Sequence, residues 1–78
     1  MMMTHRTIAL DALQYIWKQD PRQARAVYLR HMRGCKYDEI AQELQISQSR
    51  ARQLAGWGLI KMSKYLNRKY GKSIAFPA

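Results

Sequence analysis

The residues best suited to chemistry lie in SQSRARQ, Ser47 to Gln53. The chemistry they offer is hydrogen bonding rather than bond making. Arg presents a fork that fits guanine or phosphate, Gln can pair with adenine, and Ser can serve either. Ser47 suits a helix N-cap, since its hydroxyl can accept from the N–H groups of the first turn. In the helix that follows, Ala51 and Leu54 fall on one side. Gln48, Ser49, Arg50, Arg52 and Gln53 are left on the other.

Nothing comparable points to catalysis. The acids are Asp11, Asp20, Asp38, Glu39 and Glu43, and the last three fall in one short segment where they read as first-turn helix charge. There is no glycine-rich phosphate loop and no nucleophile with a plausible base. Cys35 has no second cysteine for a disulfide or a zinc site, and His5 and His31 are isolated from each other. The expectation is therefore no enzyme, no cofactor and no metal, with Cys35 a small apolar filler beside a turn at Gly34.

Charge narrows the partner. Fourteen Lys and Arg against five Asp and Glu leave +9 on 78 residues. Such an excess suits a polyanion, nucleic acid before an anionic membrane surface. A merely solvated basic face is the plainer alternative. No stretch is long and apolar enough to span a membrane, and MMMTHRTIAL lacks the apolar run and cleavage site of a signal peptide. The expected location is the cytoplasm.

Four helices must carry these residues, and no strand pattern is visible. The first is predicted over about Thr7 to Lys18, with Ala9, Ala12, Leu13 and Ile16 as its stripe. Ile8, Leu10 and Trp17 widen that stripe, which implies contact on more than one side. Asp20-Pro21-Arg22-Gln23 is a start signal. Asp20 caps, Pro21 has no N–H to waste, and Gln23 is expected to reach back and complete a capping box. Ala24, Val27, Tyr28 and Met32 face inward until Gly34 ends the second helix.

The third helix spans Tyr37 to Leu44, with Asp38 and Glu39 at its positive end and Ile40, Ala41 and Leu44 inward. The fourth starts after Ser47 and buries Ala51, Leu54, Gly58, Met62 and Tyr65 as far as about Asn67. Residues 1–69 make one helical domain, with a tail over 70–78.

Helix, three-residue turn, helix is the helix-turn-helix pattern, here over 37–55. Ala41 is small where the two helices cross, and Ile46 plugs the gap between them. Gln45 stands where the turn usually has Gly, because that position is left-handed, at a cost of roughly 1 kcal/mol.

From Pro21 to about Leu66 the chain resembles region 4 of bacterial sigma factors, the domain that reads the upstream (minus-35) promoter element. The most specific part is SQSRARQL, Ser47 to Leu54, similar to the family's TRERIRQI. The resemblance implies an all-α fold and carries DNA contact over to Arg50, Arg52 and Gln53. Gln48 and Ser49 replace the family's Arg and Glu. That Glu reads a base, so a different target sequence is implied. The chain shows no other sigma region. It therefore resembles a free-standing region 4 that would not open a promoter by itself, of the kind a phage- or plasmid-type regulator such as a repressor would use.

Gly56-Trp57-Gly58 fits the pattern least. Two glycines inside a helix cost roughly 1 kcal/mol each relative to Ala. Gly58 faces inward, where close packing accounts for it. Trp57 and Ile60 stand where the family usually has exposed basic residues. Either Trp57 folds back under the first helix or the tail, or Gly56, Trp57 and Ile60 form an apolar protein interface rimmed by Lys61 and Lys64.

The combined expectation is a sequence-specific regulator on double-stranded DNA. Arg33, Lys36, Lys61, Lys64, Arg68 and Lys69 are its candidates for phosphate. A homodimer is expected through the later turns of the fourth helix, with Ile74 and Phe76 of the tail adding to it. Two rivals stand beside this. One is an adaptor or antiterminator binding RNA polymerase or a sigma factor mainly through protein contacts. The other is a basic RNA-binding helical domain.

Overall fold

The structure, a computed structural model, describes residues 5–71. It is all-helical among those residues. Helix α1 spans His5–Gln19 and α2 spans Pro21–Val27, continuing as a π-helical segment over Tyr28–Met32; α3 spans Tyr37–Leu44 and α4 spans Gln48–Tyr70. None of these helices is long and apolar enough to cross a membrane. The tail residues Ile74 and Phe76 lie outside the described residues, and Tyr70, expected to open the tail, instead closes α4.

Two small cores share the chain. Ala26, Leu29, Ile40, Ala41, Leu44, Ala51, Leu54 and Ala55 fill the first, between α2, α3 and the start of α4. Ala12, Leu13, Ile16, Ala24, Val27, Met62 and Leu66 fill the second, between α1, α2 and the later turns of α4. Thus α2 and α4 belong to both cores, and their crossing joins them. Gly58 sits at that crossing. A Cβ there would overlap Val27 Cγ2 and come within 3.1 Å of Gln23 Cγ, so the inward glycine is required by close packing.

The turn signals act largely as expected. Asp20 Oδ1 accepts from the N–H of Gln23 at 3.2 Å. The reciprocal half of that capping box is absent. The Asp20 N–H already donates to the Ile16 carbonyl at 2.8 Å, so it has nothing left to offer. The Gln23 side chain turns inward against Gly58 instead, buried with its Oε1 unpartnered. At α3 the corresponding bond forms: Glu39 Oε1 accepts from the Lys36 N–H at 2.8 Å.

Gly34 adopts φ +70° at the predicted end of the second helical stretch. Cys35 is half-buried and packs against the first core. The breadth of the α1 stripe has a different outcome from the one expected. Leu10 and Trp17 are 44% and 45% exposed, because the core reaches only the Ala12, Leu13 and Ile16 side of that helix.

The later turns of α4 are tied to α1 by polar contacts as well as apolar ones. Tyr15 and Tyr65 stack with centroids 4.3 Å apart. The Asp11 carboxylate accepts from Lys69 Nζ at 2.7 Å, Tyr70 OH at 2.8 Å and Tyr65 OH at 3.0 Å. These contacts extend α4 past the predicted Asn67, and Gly71 then ends it with φ +72°.

The hydrogen bond from Lys69 holds the Asp11 carboxyl below its ordinary value of 3.8, with the two tyrosines adding to the effect and burial opposing it. A depressed carboxyl contributes stability above its unfolded pKa and loses it as the pH falls through the folded one. The urea midpoint of the wild type is therefore expected to drop more between about pH 5 and about pH 2 than that of Asp11→Asn. Equal drops would show that the clamp contributes nothing.

Candidate nucleic-acid interface

The helix-turn-helix is built by its turn. Gln45 lies in the left-handed region, φ 56° and ψ 49°. Its N–H donates to Gln42 O at 3.3 Å, and the Ile46 N–H donates to Ala41 O at 3.0 Å. This double bond pattern closes a helix C-terminus around a left-handed residue. Arg22 Nη2 also donates to the Leu44 carbonyl at 2.8 Å, which helps offset the strain of a non-glycine there. Ile46 packs on the first core, filling the gap between α3 and α4.

Ser47 Oγ accepts from the Arg50 N–H at 3.0 Å, capping α4. Ala51 and Leu54 are buried beneath it. Gln48, Ser49, Arg50, Arg52 and Gln53 are all exposed. The whole 23-residue helix QSRARQLAGWGLIKMSKYLNRKY contains six cations and no carboxylate. It is about 34 Å long at 1.5 Å per residue, so only its first turns can lie along a curving major groove.

The two arginines at the start of α4 are each held against an aromatic ring. Arg50 lies 5.5 Å from the Trp57 centroid, and Arg52 lies 5.0 Å from that of Tyr37. Trp57 is 47% exposed and Ile60 54% exposed. Trp57 is thus not folded under α1, and a Cβ at Gly56 would meet nothing within 4 Å.

The remaining cations separate into distinct groups. Lys36 precedes α3 beside Tyr37, and Lys61, Lys64 and Arg68 are exposed along α4. Lys69 is engaged with Asp11. Arg33 lines a groove of about 350 Å³ with Leu13, Trp17, Tyr28, Leu29 and the paired Arg25 and Glu43. The neighbouring Tyr28 hydroxyl raises the pKa of its guanidinium. Arg33 is thus grouped with α1 and α2 rather than with the arginines of α4.

Arg30 escaped the reading of the sequence. It stacks over Tyr37 at 4.3 Å and donates to the Cys35 carbonyl at 3.1 Å. Its seven-residue separation from Tyr37 spans the Gly34 turn, so their meeting depends on how that turn folds. A cation and an aromatic flanking a glycine turn were the available signal.

A family model described as Sigma-70, region 4 matches residues 20–64, over half of the chain. The chain belongs to the sigma-70 region 4 family. It is accordingly a helix-turn-helix DNA-binding domain of transcription. Comparison with curated proteins and with solved structures found no match. The region 4 match covers α2, α3 and α4 as far as Lys64, while α1, which supplies Ala12, Leu13 and Ile16 to the second core, lies before it.

Proposed function

We propose that this region 4 domain is a sequence-specific transcription regulator of phage or plasmid type, acting on double-stranded DNA in the cytoplasm without catalysis, cofactor or metal. The observation that carries the reading is the start of α4: five exposed donors and acceptors on a capped helix that bears no carboxylate. Gln48, Ser49, Arg50, Arg52 and Gln53 enter the major groove. Lys36, Lys61, Lys64 and Arg68 supply phosphate contacts along the flanks, which give affinity without sequence information. Two copies associate through Gly56, Trp57 and Ile60, so that a dimer reads two half-sites. Occupying a promoter in this way makes the protein a repressor.

Selection from random duplexes tests this directly. An enriched motif is expected, and log affinity should fall linearly with log salt by about 0.9 per phosphate contact. The absence of a motif together with a flat salt dependence would overturn the proposal. Competition by duplex RNA as strong as that by DNA would favour the RNA-binding alternative.

A second reading draws support from the exposed Leu10 and Trp17 and the apolar groove beside Trp17. Such a surface suits an adaptor or antiterminator that docks on RNA polymerase or a sigma factor. That role needs no large phosphate footprint, so the same salt series separates the two.

A further inference from the structure

Arg30 and Arg52 come from different elements, one in the π-helical segment after α2 and one in α4, yet both lie over the ring of Tyr37. The distances of 4.3 and 5.0 Å bound the separation of their guanidinium carbons to about 9 Å. Among the described residues neither pairs with a carboxylate. The acids nearest in sequence are taken up by the backbone. Asp38 Oδ1 accepts from the Glu39 N–H at 2.9 Å, and Glu39 Oε1 accepts from the Lys36 N–H. Two like charges gathered on one ring, with Lys36 adjacent and neither guanidinium in a salt bridge, make a place where an anion is favoured.

We propose that Arg30, Tyr37 and Arg52 form one phosphate-binding site for duplex DNA, in which Tyr37 is the positioning residue. The proposal rests on the DNA-binding reading above, adds Arg30 and Tyr37 to it, and moves Arg52 from the bases to the backbone. The first helix of a helix-turn-helix crosses the sugar-phosphate backbone while the second enters the groove. Tyr37 is the first residue of that first helix, so a guanidinium held on its ring sits at the groove edge rather than over base pairs. Arg30, rooted outside the recognition helix, is placed for the same edge.

The chemistry of the group fits. A guanidinium lying over an aromatic ring keeps its edge N–H donors free for two phosphate oxygens. Arg30 spends one of its donors on the Cys35 carbonyl, which fixes the fork and leaves the rest. At most about 9 Å apart, the two guanidiniums can reach neighbouring phosphates of one strand. Arg52 is thereby assigned to the backbone, leaving base reading to Gln48, Ser49, Arg50 and Gln53.

The test is fluorescence anisotropy over a range of salt, on a selected and a random duplex, with circular dichroism confirming the fold of each variant. Arg30→Gln should flatten the salt slope by about 0.9 and lose affinity equally on both duplexes, while Arg30→Lys should restore the slope. Arg52→Gln should behave like Arg30→Gln. Tyr37→Phe keeps the ring and should retain more affinity than Tyr37→Leu. Tyr37→Leu should weaken both duplexes alike, by about two- to fivefold, as expected for losing an exposed cation–π contact. An unchanged slope in folded Arg30→Gln, or a loss in Arg52→Gln confined to the selected duplex, would overturn the site while leaving DNA binding intact. A wild type that binds no duplex would overturn the DNA-binding reading as well.

Discussion

Gly58→Ala is expected to destabilise the domain by about 2 kcal/mol, whereas Gly56→Ala, two positions earlier in the same helix, should stabilise it by up to about 1 kcal/mol. Both changes bring the same gain in helix propensity, because Ala has less backbone freedom to lose than Gly. They differ in what the new methyl meets. At Gly56 it meets nothing within 4 Å. At Gly58 it overlaps Val27 Cγ2 and lies 3.4 Å from the Gln23 carbonyl oxygen.

Val27 cannot easily yield. It is 1% exposed, and a β-branched side chain in a helix has one strongly preferred rotamer. Separating α2 from α4 would relieve the overlap but would loosen both cores, since each helix contributes to both. A domain of this size has only about 4–12 kcal/mol of stability to lose. Urea denaturation of the two variants decides the matter. Equal midpoints would mean that the crossing is slack and that Gly58 has no packing role.

Much of this arrangement was legible because it is local. The bounds of α3 follow from charge at one end and apolar spacing within. Ser47, Gly34 and Asp20 are caps whose partners lie within a few residues. The placement of Ala41, Ile46, Ala51 and Leu54 follows from helical periodicity once the turn is recognised. Exposure of the five polar residues on α4 follows from the same register.

What the sequence hid depends on contacts between distant segments. Gln23 looked like a capping partner, but the Ile16 carbonyl had already taken the N–H it would have bonded. Leu10 and Trp17 looked like core, and only the position of α4 shows that nothing in the described chain covers them. Asp11 joins residues 54 to 59 positions away, beyond any periodicity. Arg30 was one cation among fourteen until the Gly34 turn brought it to Tyr37. Ala55 and Leu66 are buried because α4 is gripped from two sides by two cores.

Trp57→Glu is expected to weaken self-association by about 30-fold or more, the scale of losing an interface hot spot of at least about 2 kcal/mol. One helix-turn-helix unit reaches few base pairs, so specific binding generally takes a second copy or a docked partner. Trp57 and Ile60 lie one turn apart, half-exposed, and Gly56 beside them presents bare backbone for close approach. Trp57 lies two turns on from Arg50 along the same face, with the Arg50 guanidinium 5.5 Å from its ring, so a second copy seated on Trp57 and Ile60 would adjoin the DNA-reading start of α4.

Charge gives this contact a signature. Each copy carries +9, so association brings like charges together, including Lys61 and Lys64 beside the patch. Salt screens that repulsion. Dimerisation should therefore tighten as salt rises, while binding to DNA weakens, a divergence that a single electrostatic contact could not produce. Sedimentation of the free protein on the order of tens of micromolar, at low and high salt, measures it, with helicity as the control for folding. A wild type that stays monomeric at both salt concentrations would sink the dimer and leave the tryptophan face to some other partner.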